Sequence, residues 1–329
     1  MTTCPTQKHP SAARLSPGQI LFGFLTIFCL ALILRNTEAA MGYIHNGLVL
    51  CAETVIPALF PFMVLSELLI SGGFGNAMVR LVARPLKTLL GLSDTACCSI
   101  LLGLLCGFPV GAKCAVSAYD NGRLSKRECE CVIAASCIPS SAFLISAVGV
   151  SLWNDRRFGI LLYLTVALTA LLTGAVICRR NREAISDSAS PPFSAPIPRG
   201  AKLFTSAIRS SLESTLLVCA YVVFFSALTG VFGLVLEQIH CPDACKAFLS
   251  SFLELSGGMR HASVLENTFL GVILSAFGAG WSGLSVHCQV LSLCDGRGLS
   301  FRSYFLAKAG GGILCALLFG VGVCLLRWV

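Results

Sequence analysis

The sequence predicts an all-α, polytopic membrane protein of about eight hydrophobic segments. Its two related halves are expected to be inverted relative to each other and to contain broken or re-entrant helices. Three observations predict this. Of 329 residues, 55% are hydrophobic and only 12% are charged, about half the charged share of an ordinary soluble domain. The mean hydropathy is +0.81. Charge-free runs long enough for a helical span recur along the chain. Such a composition leaves too little polar surface for a soluble enzyme, a disordered chain or a nucleic-acid binder, so the expected medium is the lipid bilayer. The net charge of +8 reads as basic loops that orient helices by the positive-inside bias.

The elements follow in order. Residues 1–14 are a basic tail containing Lys8 and Arg14, and Leu15 to Leu34 carries no charge, so the first span is read as an uncleaved anchor. Ala39 to Ser71 is apolar but interrupted by Glu53, Pro57, Pro61 and Glu67. Two prolines four apart remove two donors from one helix face and predict a kink or break. Arg80, Arg84 and Lys87 form one stripe of Val79 to Leu90 and predict a helix lying on the membrane surface. The runs Thr95 to Ala112, Cys131 to Asn154 and Phe158 to Cys178 follow, and they complete a first membrane half at 15–178 with its core at 45–155.

Residues 179–212 open with RRNREAISDSASPPFSAPIPRGAK, a Pro- and Ser-rich cytoplasmic linker. The second half, 213–329, holds the runs Ser214 to Leu236, Asn267 to Cys294 and Ala309 to Leu326. A shorter piece, Ala247 to Leu255, is too brief to span and is read as re-entrant. Tail and linker are both basic and both belong on the cytoplasmic side, so one segment before the linker must re-enter. The broken second segment and the stretch around Gly107 are the two candidates.

An internal repeat is suggested at an offset of 175. Asp, Leu, Ser and Arg of the octet Asp120 to Arg127 recur in Asp295 to Arg302, and each octet follows a glycine-interrupted apolar run. Paired broken helices in corresponding halves point to a transporter binding site. Ser125 with Glu128 forms a capping box that starts a new helix.

The candidate substrate-binding residues cluster at these breaks. Gly107, Pro109 and Gly111 interrupt one run, and Lys113 follows at membrane depth. Pro109 frees carbonyls and exposes the N–H groups of the next half-helix, an end that attracts anions, while the glycine spacing alone also suits close helix packing. Lys113 is read as a carboxylate ligand, with snorkelling to an interface as the alternative. Pro139, Ser140 and Ser141 break the next helix. In the second half, Glu254, Gly257 and Gly258 end the short piece, with Glu254 either exposed or acting as a coupling group. Gly280, Gly283, Ser285, His287 and Gln289 are the counterparts of the Gly107 segment. No phosphate loop, zinc-protease motif or nucleophile elbow occurs, so no catalytic role is expected. Most of the 18 cysteines lie in apolar runs, and neither Cys129-Glu130-Cys131 nor the Cys241/Cys245 pair has a second pair at zinc spacing. No metal or cofactor is expected.

Several of these motifs carry a family resemblance. GFPVGAK at 107–113, the following Tyr119, Gly122, Leu124-Ser125 and Glu128, and the Ile138-Pro139-Ser140 break resemble sporulation integral membrane proteins of the YlbJ type. So do Pro57, Phe60-Pro61-Phe62 and Ser66-Glu67, Glu254 with Gly258, and Gly283-Leu284-Ser285-Val286 with Gln289. The resemblance covers roughly residues 45–325; the His287-Cys288 pair departs from the pattern. It implies nucleoside-recognition, or Gate, domains and a role in spore maturation in an endospore-forming bacterium. It further implies movement of dipicolinate, a small dianionic aromatic acid, across a membrane surrounding the forespore. The expected partners are a small anionic solute, the bilayer, and other copies of the chain or other sporulation membrane proteins. Two rival readings stand beside this one: a non-transporting membrane scaffold, and a nucleoside or metal-ion permease with a Gate domain.

Overall fold

The computed structural model describes residues 16–72, 84–180 and 200–326. Among these the chain is all helical, and five helices are long and apolar enough to cross a membrane. α1, Pro17–Arg35, is opened by a capping box between Ser16 and Gln19 and has no buried residue. α2, Thr37–Leu50, continues through a π-helical stretch, Cys51–Val55, into α3, Ile56–Ser71. Pro57 sits just after the π-helical stretch, where the ladder has already shifted its pairing, and Pro61 lies inside α3. The expected break in this segment is therefore a change of helical pitch, not a re-entrant turn. Of the expected surface helix, α4, Arg84–Leu90, is described; Arg80 lies outside the described residues.

The stretch around Gly107 is a helical hairpin. α5, Asp94–Cys106, and α6, Val110–Asp120, are two short arms that fold back on each other at Gly107. A Cβ on Gly103 would lie 2.9 Å from the Gly111 Cα, which places the arms in backbone contact. The Ser125–Glu128 capping box then opens α7, Lys126–Ser136. The chain unwinds over residues 137–140 and resumes as a helix that is π-helical over Phe143–Leu152. α8, Arg156–Arg180, is a full-length span.

The same series recurs after the linker. α9 begins at Ala201 and ends at Gln238, so residues 201–212, assigned above to the linker, are already helix. α10, Asp243–Leu253, and α11, Leu255–Ser263, form a second hairpin that turns at Glu254. α12, Thr268–Trp281, breaks at Ser282-Gly283 into α13, Leu284–Leu293. α14, Arg302–Leu325, closes the series. A hairpin, a broken helix and a long span thus occur twice. The long spans start at residues 156 and 302, which is 146 residues apart. The offset of 175 suggested by the two octets is not the architectural one. It aligns the link into the first broken helix with the link out of the second.

Long-range contacts fix which ends lie together. Arg297 grips Asp120 with its Nε at 2.8 Å and its Nη2 at 2.7 Å, the Ser300 amide donates to Glu130 at 2.8 Å, and the Lys113 ammonium donates to the Ser210 hydroxyl at 2.7 Å. The open end of the first hairpin therefore sits with the end of α13, and the first turn of α6 lies against α9. At the other end, the Trp153 ring lies against Gly271, and α11 packs on the 143–152 helix. The second hairpin opens at that end.

Gly107 accepts no side chain, on two counts. Its φ is +80°, and a Cβ there would stand 2.5 Å from the Ser140 backbone nitrogen. Gly107→Ala is expected to cost about 3 kcal/mol through left-handed strain and overpacking. Gly23→Ala, with no atom within 4 Å of the added Cβ, is expected to be neutral. Thermal unfolding of both variants in detergent checks the contrast.

Candidate solute-binding site

Each hairpin tip abuts the break of the broken helix that follows it. At the first tip, the Phe108 amide donates to the Ile138 carbonyl at 2.7 Å, so the unwound segment before Pro139 supplies the acceptor that the tip needs. At the second, a Cβ on Gly283 would lie 3.0 Å from the Leu255 nitrogen and 3.2 Å from the Glu254 Cα. Gly283 has a φ of +82°, so both its conformation and its contact with the tip call for glycine. The tip glycine of one half and the break glycine of the other meet the same demand from opposite partners.

Between the two tips and the two breaks lies a cavity of about 360 Å³. Phe108 and Pro109, Ser140 and Phe143, Glu254 and Ser256, and Ser285 with Gln289 line it, and side chains of α3 and α9, among them Leu59 and Val222, close one wall. Ser140, Glu254, Ser256 and Ser285 of this lining each stand in the first turn of a half-helix or immediately before it, while Ser146, Ser226 and Gln289 lie further along their helices. Four helix N-termini therefore face one volume. The starts of α6 and α13 have no side-chain cap. The start of α11 is capped by Glu254, whose two carboxylate oxygens accept from the Ser256 amide at 2.9 Å and the Gly257 amide at 2.7 Å. The Ser140 hydroxyl accepts from the Phe143 amide at 3.2 Å. Glu254 is the sole charged side chain among the described residues lining the cavity.

The structure brings Pro109, Ser140, Glu254, Ser285 and Gln289 of the predicted set together around this cavity. Gly107 and Gly283 shape it from behind. The Gln289 amide lies 3.4 Å from the Ser285 hydroxyl, which orders both side chains. Pro139 keeps the first break unwound, and the Ser141 hydroxyl turns to the Leu105 carbonyl at 3.4 Å. Gly257 gives its amide to Glu254. The remaining glycines serve packing: Gly111 against Ser136, Gly258 against Ser251, and Gly280 against Gly311 and Gly312.

Two predicted site residues lie elsewhere. His287 is fully buried, with its Nδ1 2.8 Å from the Tyr304 hydroxyl and its ring edge-on to Trp281 and Phe305. It packs an aromatic cluster and does not line the cavity. Lys113 lines a separate cavity of about 280 Å³ with Asp120, Ser210, Glu213 and Arg297. Its ammonium is 3.8 Å from Glu67, whose other oxygen accepts from Ser117 at 2.7 Å and Ser71 at 2.5 Å. Lys113 is thus the partner of a buried carboxylate in the first turn of α6, at one end of a cavity that runs along that helix to Asp120, and it does not line the cavity between the tips. In the loop beyond, hydrogen bonding to Asp120 holds the Arg297 guanidinium above its ordinary pKa.

Sequence reading missed Phe108, Phe143 and the α9 wall, because apolar residues in apolar runs carry no signal of which face they present, and it passed over Ser256 between Glu254 and the two glycines. It also missed Lys308, which is buried and donates to the Cys137 carbonyl and, at 3.1 Å, to the Ser282 hydroxyl.

The class these features define is that of a polytopic integral membrane protein with two hairpins and two broken helices around an internal cavity. The chain is similar to sporulation integral membrane protein YlbJ of Bacillus subtilis (strain 168). The two are 24% identical over a match covering 91% of this chain and 81% of that protein. This likeness bears out the family resemblance carried by the motifs. No family profile matches the chain, and no solved structure matches it.

The Glu67–Lys113 pair yields a stability prediction. Lys113→Met leaves a buried carboxylate without its counter-charge and is expected to cost roughly 3–5 kcal/mol. Adding Glu67→Gln is expected to recover most of that loss. Thermal unfolding of both single variants and the double variant checks this coupling.

Proposed function

We propose that the protein is a membrane carrier for a small organic anion, and that dipicolinate is its solute, moved across a membrane surrounding the forespore during spore formation. It acts as a carrier and not as an enzyme. One observation supports the anion reading above all: four half-helix N-termini face one cavity. Each such end carries roughly +0.5 of an elementary charge. Glu254 offsets about two of them and leaves the α6 and α13 ends free for carboxylates. Glu254 on the α11 amides is an internal example of the contact a solute carboxylate would make. The cavity volume falls within the usual range of small-molecule sites, about 300–1,000 Å³. The apolar walls from Phe108, Phe143 and Val222 suit an aromatic ring. The dipicolinate assignment itself rests on the family resemblance.

The two series are read as related halves in inverted orientation. α1, the continuous α2–α3 segment, the first broken helix and α8 make four crossings, an even number that returns the linker to the side of the basic tail. Three crossings separate the starts of the two series, so the second runs the opposite way and its hairpin enters from the opposite face. The contacts of Asp120, Glu130 and Lys113 described above agree with this. Arg123, Lys126, Arg127, Arg179, Arg180, Lys202, Arg297 and Arg302 then share one side, which the positive-inside bias makes cytoplasmic. Alternating access follows from opening one hairpin at a time around the fixed cavity.

A second reading is favoured by Glu254 being the sole charged side chain among the described residues of the cavity lining: a permease for a neutral or cationic solute. Dipicolinate filling of spores separates the possibilities. Cells lacking the protein are expected to make dipicolinate in the mother cell and to form spores without it. Wild type and the Glu67→Gln/Lys113→Met variant are expected to restore filling, whereas Ser285→Trp, which fills the cavity, is not. Normal filling without the protein would remove dipicolinate as the solute and leave the neutral-solute permease or a scaffold. In purified protein, Gln289→Ala is expected to weaken dipicolinate binding about tenfold, the loss of one hydrogen bond to a charged group. Titration calorimetry checks it.

A further inference from the structure

Lys308 lies within α14, and only 4% of its surface is exposed. None of the ion pairs among the described residues involves it. A buried ammonium without a carboxylate is costly and needs another source of negative potential. Two are present. The Cys137 carbonyl follows the last residue of α7, and the Ser282 hydroxyl follows the last residue of α12. Lys308 therefore bridges the C-terminal ends of the first half-helices of both broken helices. Each such end carries roughly −0.5 of an elementary charge, and together they match one cation. The breaks thus have two electrical sides: their N-terminal ends face the central cavity, and their C-terminal ends face Lys308.

Lys308 does not line the central cavity. The void beside it, bounded by Ile138, Thr169, Gly280 and Gly311, measures about 10 Å³, room for one water. The ammonium thus has nowhere to go and no contact with the solute volume.

We propose that Lys308 is a built-in monovalent cation: its ammonium fills the position that a bound small cation would otherwise have to occupy to hold the two breaks open together. Solute binding then needs no added cation. Lys308 is a positioning residue, because it acts through Cys137 and Ser282 and touches no solute.

Removal of the side chain with replacement of the charge tests this. Lys308→Ala vacates three methylene carbons and the ammonium, which together correspond to propylammonium. Purified full-length variants are melted in detergent with propylammonium chloride, potassium chloride or choline chloride, the last as an ionic-strength control too large for the site. Lys308→Ala is expected to lower Tm by at least about 5 °C. Propylammonium is expected to restore at least half of that loss, potassium part of it and choline none; wild type should not respond. Lys308→Met, which keeps the volume and removes the charge, is expected to be destabilised without rescue, and Lys308→Arg is expected to stay close to wild type. This arm is independent of any solute. A Lys308→Met variant as stable as wild type overturns the proposal, as does a Lys308→Ala variant indifferent to all three salts. If Lys308→Ala does not fold, the Met and Arg variants decide between the charge and the volume. A second arm rests on the carrier reading: dipicolinate binding to wild type is expected to be equal in sodium, potassium and choline. A requirement for sodium or potassium overturns the built-in cation, whereas absence of binding in all three salts counts against the carrier reading and leaves the melting arm intact.

Discussion

A backbone amide or carbonyl in the bilayer core has no water to turn to, and leaving it without a partner costs several kcal/mol. This constraint governs the molecule. An interrupted helix at membrane depth survives only where protein supplies the missing partners. Here the Phe108 amide meets the Ile138 carbonyl, Glu254 meets the Ser256 and Gly257 amides, and Lys308 meets the Cys137 carbonyl. The hairpin tips and the broken helices are therefore not separate features that happen to be close. The first tip and the first break satisfy each other, the second tip caps itself, α14 serves the breaks, and the cavity is the volume left between tips and breaks.

Much of this organisation was legible in the residues. Charge-free runs marked α1, α8 and the α12–α13 segment to within a few positions but placed the starts of α9 and α14 too late, because their first turns carry charged residues, and the Ser125–Glu128 box marked the start of α7. Proline and glycine at membrane depth marked both broken helices, because few other residues interrupt an apolar run. What the residues did not reveal was the kind of interruption. A hairpin with two short arms and a spanning helix with a central break look the same in composition, since both are apolar, glycine-broken and flanked by polar loops. The octets pair the Gly107 run with the Gly283 run, whereas the Gly107 run folds as a hairpin, the shape found at the Glu254 turn, and the Gly283 run as a broken helix.

The site divides in the same way. Pro109, Ser140, Glu254, Ser285 and Gln289 were identifiable because each is polar or helix-breaking in an apolar setting. Lys113 was identifiable for the same reason and yet lies in another place, because charge at membrane depth signals a partner without saying which one. Its partner is Glu67, 46 residues earlier in the chain. Lys308 gave no signal because it stands at the head of a charge-free run, where a lysine ordinarily reaches for the interface. Only the crossing of α14 with both breaks gives it a role.

The two breaks are chemically unequal. The first contains Pro139, which has no amide hydrogen, so residues 137–140 have no route back to a continuous helix. The second consists of Ser282 and Gly283, both with amide hydrogens and both held at positive φ, +77° and +82°. Serine enters that region at a cost that glycine does not meet. The second break is therefore a sprung joint and the first a fixed corner. Any motion that carries the protein between two conformations has a hinge available in one half and a rigid reference frame in the other, so the two halves do not exchange roles symmetrically even though they share a plan.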